Sequence, residues 1–230
     1  MMLALALHTT SPELGLALSD FSHESRCQTW DLGRSLSTHL HYHLTEFIQP
    51  HPWSDLTFIA VAQGPGSFTS TRIGVVTART LAQQLDIPLF AVSTLEALAW
   101  SYHKHSLIDS KEAGSIDIAV EMPAQRGEIF TAIYSIRVAS QGLKGSSNEG
   151  LPEVTTLFPD TTLTPERWQT ILQTWNRPYQ LITAETILGS SVTSLLELAY
   201  AAWQQGQRPS WAIAFPFYGQ SSVTELPKSS

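Results

Sequence analysis

The pattern of apolar residues predicts an α/β protein built as two domains on mixed sheets. Three observations carry that expectation. Short apolar runs at residues 3–7 and 14–18 are joined by the turn-forming segment HTTSPE, which reads as a β-hairpin. Strand-like runs then alternate with segments of helical period, so that residues 3–102 read β-β-β-α-β-α-β-α. A second set of strands and helices follows beyond residue 114.

The opening MMLALALHTT is apolar but short, lacks a basic flank and ends at His8-Thr9-Thr10, so it reads as a buried first strand rather than a signal peptide. A third strand is expected at 27–30, with Cys27 as inert packing. From Leu36 the spacing turns helical through Leu40, Leu44, Phe47 and Ile48, and Pro50 and Pro52 stop that helix, placed at 36–49. The run FIAVA at 58–62 is a buried strand, followed by Gly-Pro-Gly. Ile73, Val76, Thr80 and Leu81 mark a second helix over 70–85, and 88–92 a further strand. Ser93-Thr94-Leu95-Glu96 has capping-box spacing and opens a helix running toward Tyr102. Residues 103–114 are polar and read as a connection carrying solvated His103 and His105.

Further strands are expected at 116–121 and 128–137, with a polar Gly/Ser-rich loop at 139–150 between them and the rest. Thr164 and Pro165 are N-cap and first residue of a helix reaching Trp175. A strand at 180–183 and a helix at 191–205, stopped by Gly206 and Pro209, complete the pattern. The domains expected are 1–103, completed by helix 191–206; a smaller degenerate one at 104–190; and a tail at 207–230 with aromatics from Trp211 to Tyr218.

The 230 residues are 43% hydrophobic and 14% charged, which excludes a disordered chain. A net charge of −7, from 13 basic and 20 acidic residues, lacks the field of a stand-alone nucleic-acid binder. A single cysteine excludes an internal disulfide and a cysteine-based zinc cage. No apolar run approaches the ~20 residues of a membrane helix, so a cytoplasmic protein without a membrane contact is expected.

The most specific segment is Gly64-Pro65-Gly66-Ser67-Phe68-Thr69-Ser70-Thr71-Arg72-Ile73-Gly74, between a buried strand and a helix. The glycines permit a tight turn, Pro65 stiffens it, and Ser67 or Thr69 can cap the helix, whose N-terminus could hold an anion. It is neither a Walker loop nor a dinucleotide fingerprint, and a turn that packs two layers closely is the simpler account. His39 and His43 share a helical face that His41 does not, but without a third ligand they read as polar-face residues. No GxSxG or HExxH motif is present.

The stretch FIAVAQGPGSFTSTRIGVVTARTLAQQLDIPLFAVSTLEALA closely resembles the TsaB (YeaZ) family of tRNA threonylcarbamoyladenosine biosynthesis subunits, over residues 58–99. Weaker resemblance extends to LALHTTSPELGLAL, to RGEIFTAIY at 126–134 and to FPFY near the end. It implies two domains of the actin-like and sugar-kinase type, each on a five-stranded mixed sheet (βββαβαβα). It also implies a non-catalytic subunit that pairs with the catalytic TsaD and the ATPase TsaE, meeting tRNA only through the complex, and that dimerises when alone. ATP would be used by the complex rather than held by this chain. In the family the two helices at 36–49 and 70–85 form the interface, which assigns Gly64, Pro65, Gly66, Ser67, Phe68, Thr69, Arg72, Gly74 and Arg79 to the motif and partner surface. Small residues Gly74, Thr77 and Ala78 would let a second helix approach.

Three departures argue against catalysis by this chain. His8 stands where active relatives of the fold carry a metal-placing Asp, so the hairpin at His8, Thr9 and Thr10 is degenerate. The second hairpin, usually DARRGEVY, has Pro123 and Gln125 in place of Asp and Arg, leaving Gly127 and Glu128, with Glu121 nearby as a strand-closing residue. Thr94 and Leu98 stand where TsaD-type chains carry two metal-binding histidines. Gln220 replaces an Arg usual near the C-terminus. The competing reading is an ATP-binding phosphotransferase or ATPase of the same fold, and a third is a homodimeric module that holds a nucleotide without turning it over.

Overall fold

The described residues form two sheets and five α-helices. The structure, a computed structural model, describes residues 2–109, 116–138, 151–184 and 188–219. The expectations for loop 139–150 and for Gln220 lie outside the described residues. Strands β1 (Ala4–His8), β2 (Glu13–Ser19) and β3 (Ser25–Asp31) form an antiparallel meander, and β4 (Phe58–Ala62) and β5 (Leu89–Val92) extend it in parallel to the order β3-β2-β1-β4-β5. The hairpin predicted from HTTSPE is present, with Ala4 opposite Ser19 and His8 opposite Gly15. Asp20 closes the next turn: backbone N–H groups of Glu24, His23 and Ser22 donate to its carboxylate at 2.7–2.8 Å and hold its pKa down at about 2.

The second sheet is built from β6 (Asp117–Pro123), β7 (Ile129–Val138), β8 (Pro152–Leu163) and β9 (Tyr179–Thr183), in the order β8-β7-β6-β9. Among the described residues it has four strands, one fewer than the five-stranded type that the resemblance implies.

The layers follow from the alternation of side chains along each strand. On one face of the first sheet, Leu5 and Leu7 of β1 meet Leu40 and Leu44 of α1 (Leu36–Ile48) and Val75 and Ala78 of α2 (Phe68–Leu85). On its other face, Ala4, Ala6 and Phe58 meet α3 (Thr94–Asp109) and α5 (Val192–Gln204) through Leu95, Trp100, Leu195 and Ala199. The same core continues into the second sheet through Val120, Ala132 and Tyr134. The outer face of that sheet is closed by α4 (Pro165–Thr174), whose Trp168 and Leu172 cover Ala119 and Ile133. As predicted, Thr164 caps α4, accepting the N–H of Arg167.

Four sequence expectations change. Residues 103–109 continue α3 rather than forming a connection, because Trp100 and Lys104 both donate to Glu197 of α5, at 2.5 and 2.6 Å, and fasten that helix to its neighbour. His103 accordingly stacks on Trp100 at 5.8 Å between ring centroids instead of sitting free in a loop. The twelve-residue β8 carried no strand signal: it is polar, contains Pro159, and survives because an edge strand tolerates a missing donor. Cys27 is exposed, because β3 is an edge strand of the first sheet and the covering helices do not reach over it.

Small residues set the closest approach of helix and sheet. A Cβ on Gly74 of α2 would run into Thr9 Oγ1 and stand 3.1 Å from Thr9 Cβ and Cγ2. Gly74→Ala therefore lowers stability by about 1–3 kcal/mol even though alanine favours a helix. Thermal unfolding of Gly74→Ala in the wild-type and Thr9→Ala backgrounds checks this: the glycine substitution lowers Tm in the wild type and costs less where Thr9 Oγ1 is gone.

Candidate functional site

The turn that carries the sequence motif is a junction of three segments. Gly64 sits at φ +107°, a conformation glycine adopts freely, and a Cβ there would meet the Phe217 carbonyl. Its own carbonyl accepts the Thr94 N–H at 2.8 Å, and Gln63 O accepts the Phe217 N–H at 2.7 Å. Gly66 lies against Thr10, whose carbonyl accepts the Ser67 N–H at 2.7 Å. The helix start is secured by Thr71, whose hydroxyl donates to Ser67 O at 2.7 Å. The motif thus ties the first hairpin, the start of α3 and the tail to one turn.

The two faces of α2 then divide the remaining residues. Thr71, Gly74, Val75, Ala78 and Ala82 are buried against the chain's own sheet. The stripe Ile73, Val76, Thr80 and Leu81 is not the core face: Ile73 and Leu81 are half-buried, and Val76 is 56% exposed. Gly74 and Ala78 consequently serve contact with the chain's own sheet, not the approach of a second helix. Phe68, Thr69, Arg72 and Val76 point outward. Arg72 lies over the Phe68 ring at 5.4 Å, and Phe68 packs on Tyr218 at 4.6 Å. Arg79 lies over Phe215 at 4.9 Å. The tail, whose role the sequence left open, therefore lies along α2 and adds Ile213 and Phe215, 69% and 60% exposed, to one outward apolar surface. On α1 the stripe Leu36, Leu40, Leu44 and Phe47 faces inward, and Tyr42 is the large exposed apolar residue.

The hairpins show a different character. His8, Thr9, Thr10 and Ser11 are all buried. Thr9 donates to Ser70 O at 2.9 Å, Thr10 accepts from the Thr94 hydroxyl at 3.2 Å, and Ser11 Oγ accepts the Leu188 and Glu13 N–H groups. Glu13 in turn accepts the Gly189 N–H at 3.0 Å. Among the described residues neither ring nitrogen of His8 has a hydrogen-bond partner, and burial lowers its pKa to about 3. Polar groups that would face a phosphate are spent on internal bonds, and a neutral imidazole stands in place of a carboxylate; these residues do not fit a metal-bound nucleotide.

In the second hairpin Ala124, Arg126, Gly127 and Glu128 form a tight exposed turn, with Ala124 N–H donating to Glu128 O at 3.0 Å. Both oxygens of Glu121 are taken, by Trp168 Nε1 at 2.9 Å and the Thr183 hydroxyl at 2.8 Å. His39 and His43 do share a face, 6.4 Å apart, but His43 lies against Trp30. Among the described residues no group of three His, Cys, Asp or Glu side chains is placed to hold a metal ion.

One polar cluster had no sequence signal beyond its cap. Ser93 accepts the N–H groups of Leu95 and Glu96 as the N-cap of α3, and donates to Asp160 of β8 at 2.5 Å. Tyr134 of β7 donates to the same carboxylate at 2.6 Å. The cluster bridges the two sheets through residues 67 positions apart in sequence. Burial raises the pKa of Asp160, against the two hydroxyls that lower it. The reciprocal half of the predicted capping box is absent among the described residues: Glu96 does not return to Ser93, and burial followed by the charge of Asp160 raises its pKa to about 7.

Against this geometry stand three groups of similar proteins. Residues 50–120 match a family model described as TsaD, tRNA N6-adenosine threonylcarbamoyltransferase. The chain is 36% identical over 135 residues to the tRNA threonylcarbamoyladenosine biosynthesis protein TsaB of Bacillus subtilis, covering 58% of this chain and 49% of that protein. It is 27% identical over 126 residues to TsaB of Buchnera aphidicola subsp. Schizaphis graminum, covering 54% and 55%. The chain thus spans about half the length of the curated relatives it matches. YeaZ from Pseudomonas aeruginosa superimposes with a TM-score of 0.70 at 23% identity, over 95% of this chain and all of that one. The resemblance to TsaB (YeaZ) drawn from the motif is supported by these relatives, and the two-sheet α/β fold is that of YeaZ.

His8 and Glu96 pull stability in opposite directions with pH. His8 is held below its unfolded value of 6.5, so its share of stability is intact above pH 6.5 and is lost as pH falls toward 3. Glu96 is held above its unfolded value of 4.5, so stability is lost as pH rises from 4.5 to about 7. Between these limits the two slopes offset. His8→Leu unmasks a decline of about 2 kcal/mol between pH 5 and 8, and Glu96→Gln unmasks a decline of similar size from pH 7.5 down to pH 5. Urea unfolding across that range checks both; parallel curves for wild type and variants would contradict the assignment.

Proposed function

We propose that this chain is a non-catalytic scaffold subunit of the machinery that makes tRNA N6-threonylcarbamoyladenosine, binding and stabilising TsaD. The observation that carries the reading is the division of labour around the motif. Its glycines close the first hairpin against the chain's own turn, and its outward residues, Phe68, Arg72 and Val76, join the tail in an apolar surface. A protein that fills its own phosphate hairpin and presents aromatic and arginine side chains outward is suited to docking rather than turnover. The TsaB relatives and the TsaD-type family match supply the name of the process. On this reading TsaE and tRNA join through the assembled complex, ATP is consumed there, the isolated chain pairs with itself through the same helices, and the setting is the cytoplasm. The described helices include none long and apolar enough to cross a membrane. The competing ATPase reading needs a carboxylate at position 8, where a buried imidazole stands that has no hydrogen-bond partner among the described residues.

Co-purification with the TsaD of the same cell, followed by a tRNA threonylcarbamoylation assay with and without this chain, tests the reading. Co-elution and a requirement for both proteins are expected. Val76→Asp and Arg72→Glu weaken the complex at least tenfold, about 1.4 kcal/mol or more, with unfolding midpoints unchanged. Arg79→Glu gives a smaller loss, because that side chain is engaged with Phe215. Unchanged affinity in all three variants would remove α2 from the interface, and failure to co-elute would remove the scaffold role.

A further inference from the structure

A cavity of about 390 Å³ lies on the open side of β5, lined by none of the residues of the two hairpins and reached at one edge by Ile213 of the tail. It is bounded by α5, the start of β8 and the tail segment that begins at Gln207. Its walls are mixed: Val154 and Ala202 are apolar, and Gln63, Gln205 and Gln207 carry amides. β5 is the edge strand of its sheet; the Leu89 N–H is taken by Pro209 O at 3.2 Å, and the strand beyond it lines the cavity. Glu96 reaches this space from the first turn of α3.

We propose that this cavity is a binding site for a small organic ammonium or guanidinium ion, with the Glu96 carboxylate as its counter-ion and the surrounding amides as hydrogen-bond acceptors. Among the described residues Glu96 has no hydrogen-bond donor on its carboxyl, while its neighbours in the cluster are satisfied: Asp160 takes the hydroxyls of Ser93 and Tyr134. The groups facing Glu96 are therefore a second carboxylate on β8, a phenol on β7 and a serine at the helix cap, none of them cationic. No Lys or Arg lines the cavity among the described residues. A largely buried carboxyl beside another carboxylate, opening onto a cavity with acceptors and no cation, has one missing partner: a positive charge with N–H donors. The apolar wall limits the ligand to a short aliphatic body.

This site predicts a proton signature. At pH 6, Glu96 is largely protonated; a bound cation stabilises the carboxylate, so the carboxyl proton passes to the buffer as the ligand, already charged, enters. Calorimetric titration with agmatine, repeated in buffers of different ionisation enthalpy, reads that proton directly. Expected are release approaching one proton per ligand at pH 6, little at pH 8.5, and affinity at least tenfold above that of butyramide, a neutral comparator of similar body. Nα-acetylarginine methylamide separates the two sources of such a group: tighter binding than agmatine assigns the site to an arginine of a partner segment, and weaker binding assigns it to a free small cation. Glu96→Gln removes the proton release and lowers agmatine affinity at least tenfold, and Ala202→Leu weakens all ligands by filling the cavity. Equal affinity for agmatine and butyramide, or Glu96→Gln binding agmatine as the wild type does, overturns the proposal. Circular dichroism of both variants excludes misfolding as the cause of any loss.

Discussion

The contact on which the rest of the structure depends is the seating of the Gly-Pro-Gly turn and the first turns of α2 on the β1–β2 hairpin. Gly66 and Gly74 let backbone and helix come down onto Thr10 and Thr9 at distances no side chain would allow. Ser67 N–H and Thr9 Oγ1 then close hydrogen bonds across the junction, to Thr10 O and Ser70 O. The contact has two consequences that cannot be separated. It buries the polar groups of the hairpin, and it fixes the rotation of α2 about its axis.

That rotation decides which residues are left for other molecules. A helix held by Gly74, Val75, Ala78 and Ala82 must present Phe68, Arg72, Val76 and Thr80 to the outside. The tail reinforces the arrangement: Phe217 pairs with Gln63 beside the same turn, and Phe215 and Tyr218 lean on Arg79 and Phe68. Glycines that close the hairpin and bulky residues that build the outer surface are parts of one geometry.

Much of this was legible in the sequence, for identifiable reasons. Strands buried on both faces, such as β1 and β4, announce themselves as uninterrupted apolar runs, and α1 by a clean stripe. The Gly-Pro-Gly turn was visible because only glycine fits where backbone meets backbone. What escaped was set by tertiary contact. β8 is held as an edge strand by pairing with β7 over most of its length, not by its own composition. The far half of α3 is helical because Glu197 collects two donors from it. The inward face of α2 was not legible because its inward residues include glycine and alanine, which hydrophobic periodicity underweights, whereas the more apolar Val76 lies toward solvent and Ile73 is half-buried.

The burial of two titratable groups named from the sequence, His8 and Glu96, escaped for the same reason, and together they bear on what the fold has become. His8 sits in a hairpin whose other polar groups are all bonded internally, and no described group bonds its ring. Each unsatisfied buried nitrogen costs stability that an apolar residue would not forfeit, so its neutrality is imposed by burial rather than chosen by chemistry. Glu96 is the mirror case: burial and a neighbouring carboxylate push it toward neutrality, but its surroundings are a cavity rather than a filled core. The difference lies in the space beside each group. Filled space at His8 leaves nothing for a ligand to reach, and the old polar hairpin is reduced to packing. Open space at Glu96 leaves a carboxyl able to recover its charge when a cation arrives, so of the two groups only Glu96 keeps the means to answer a molecule from outside.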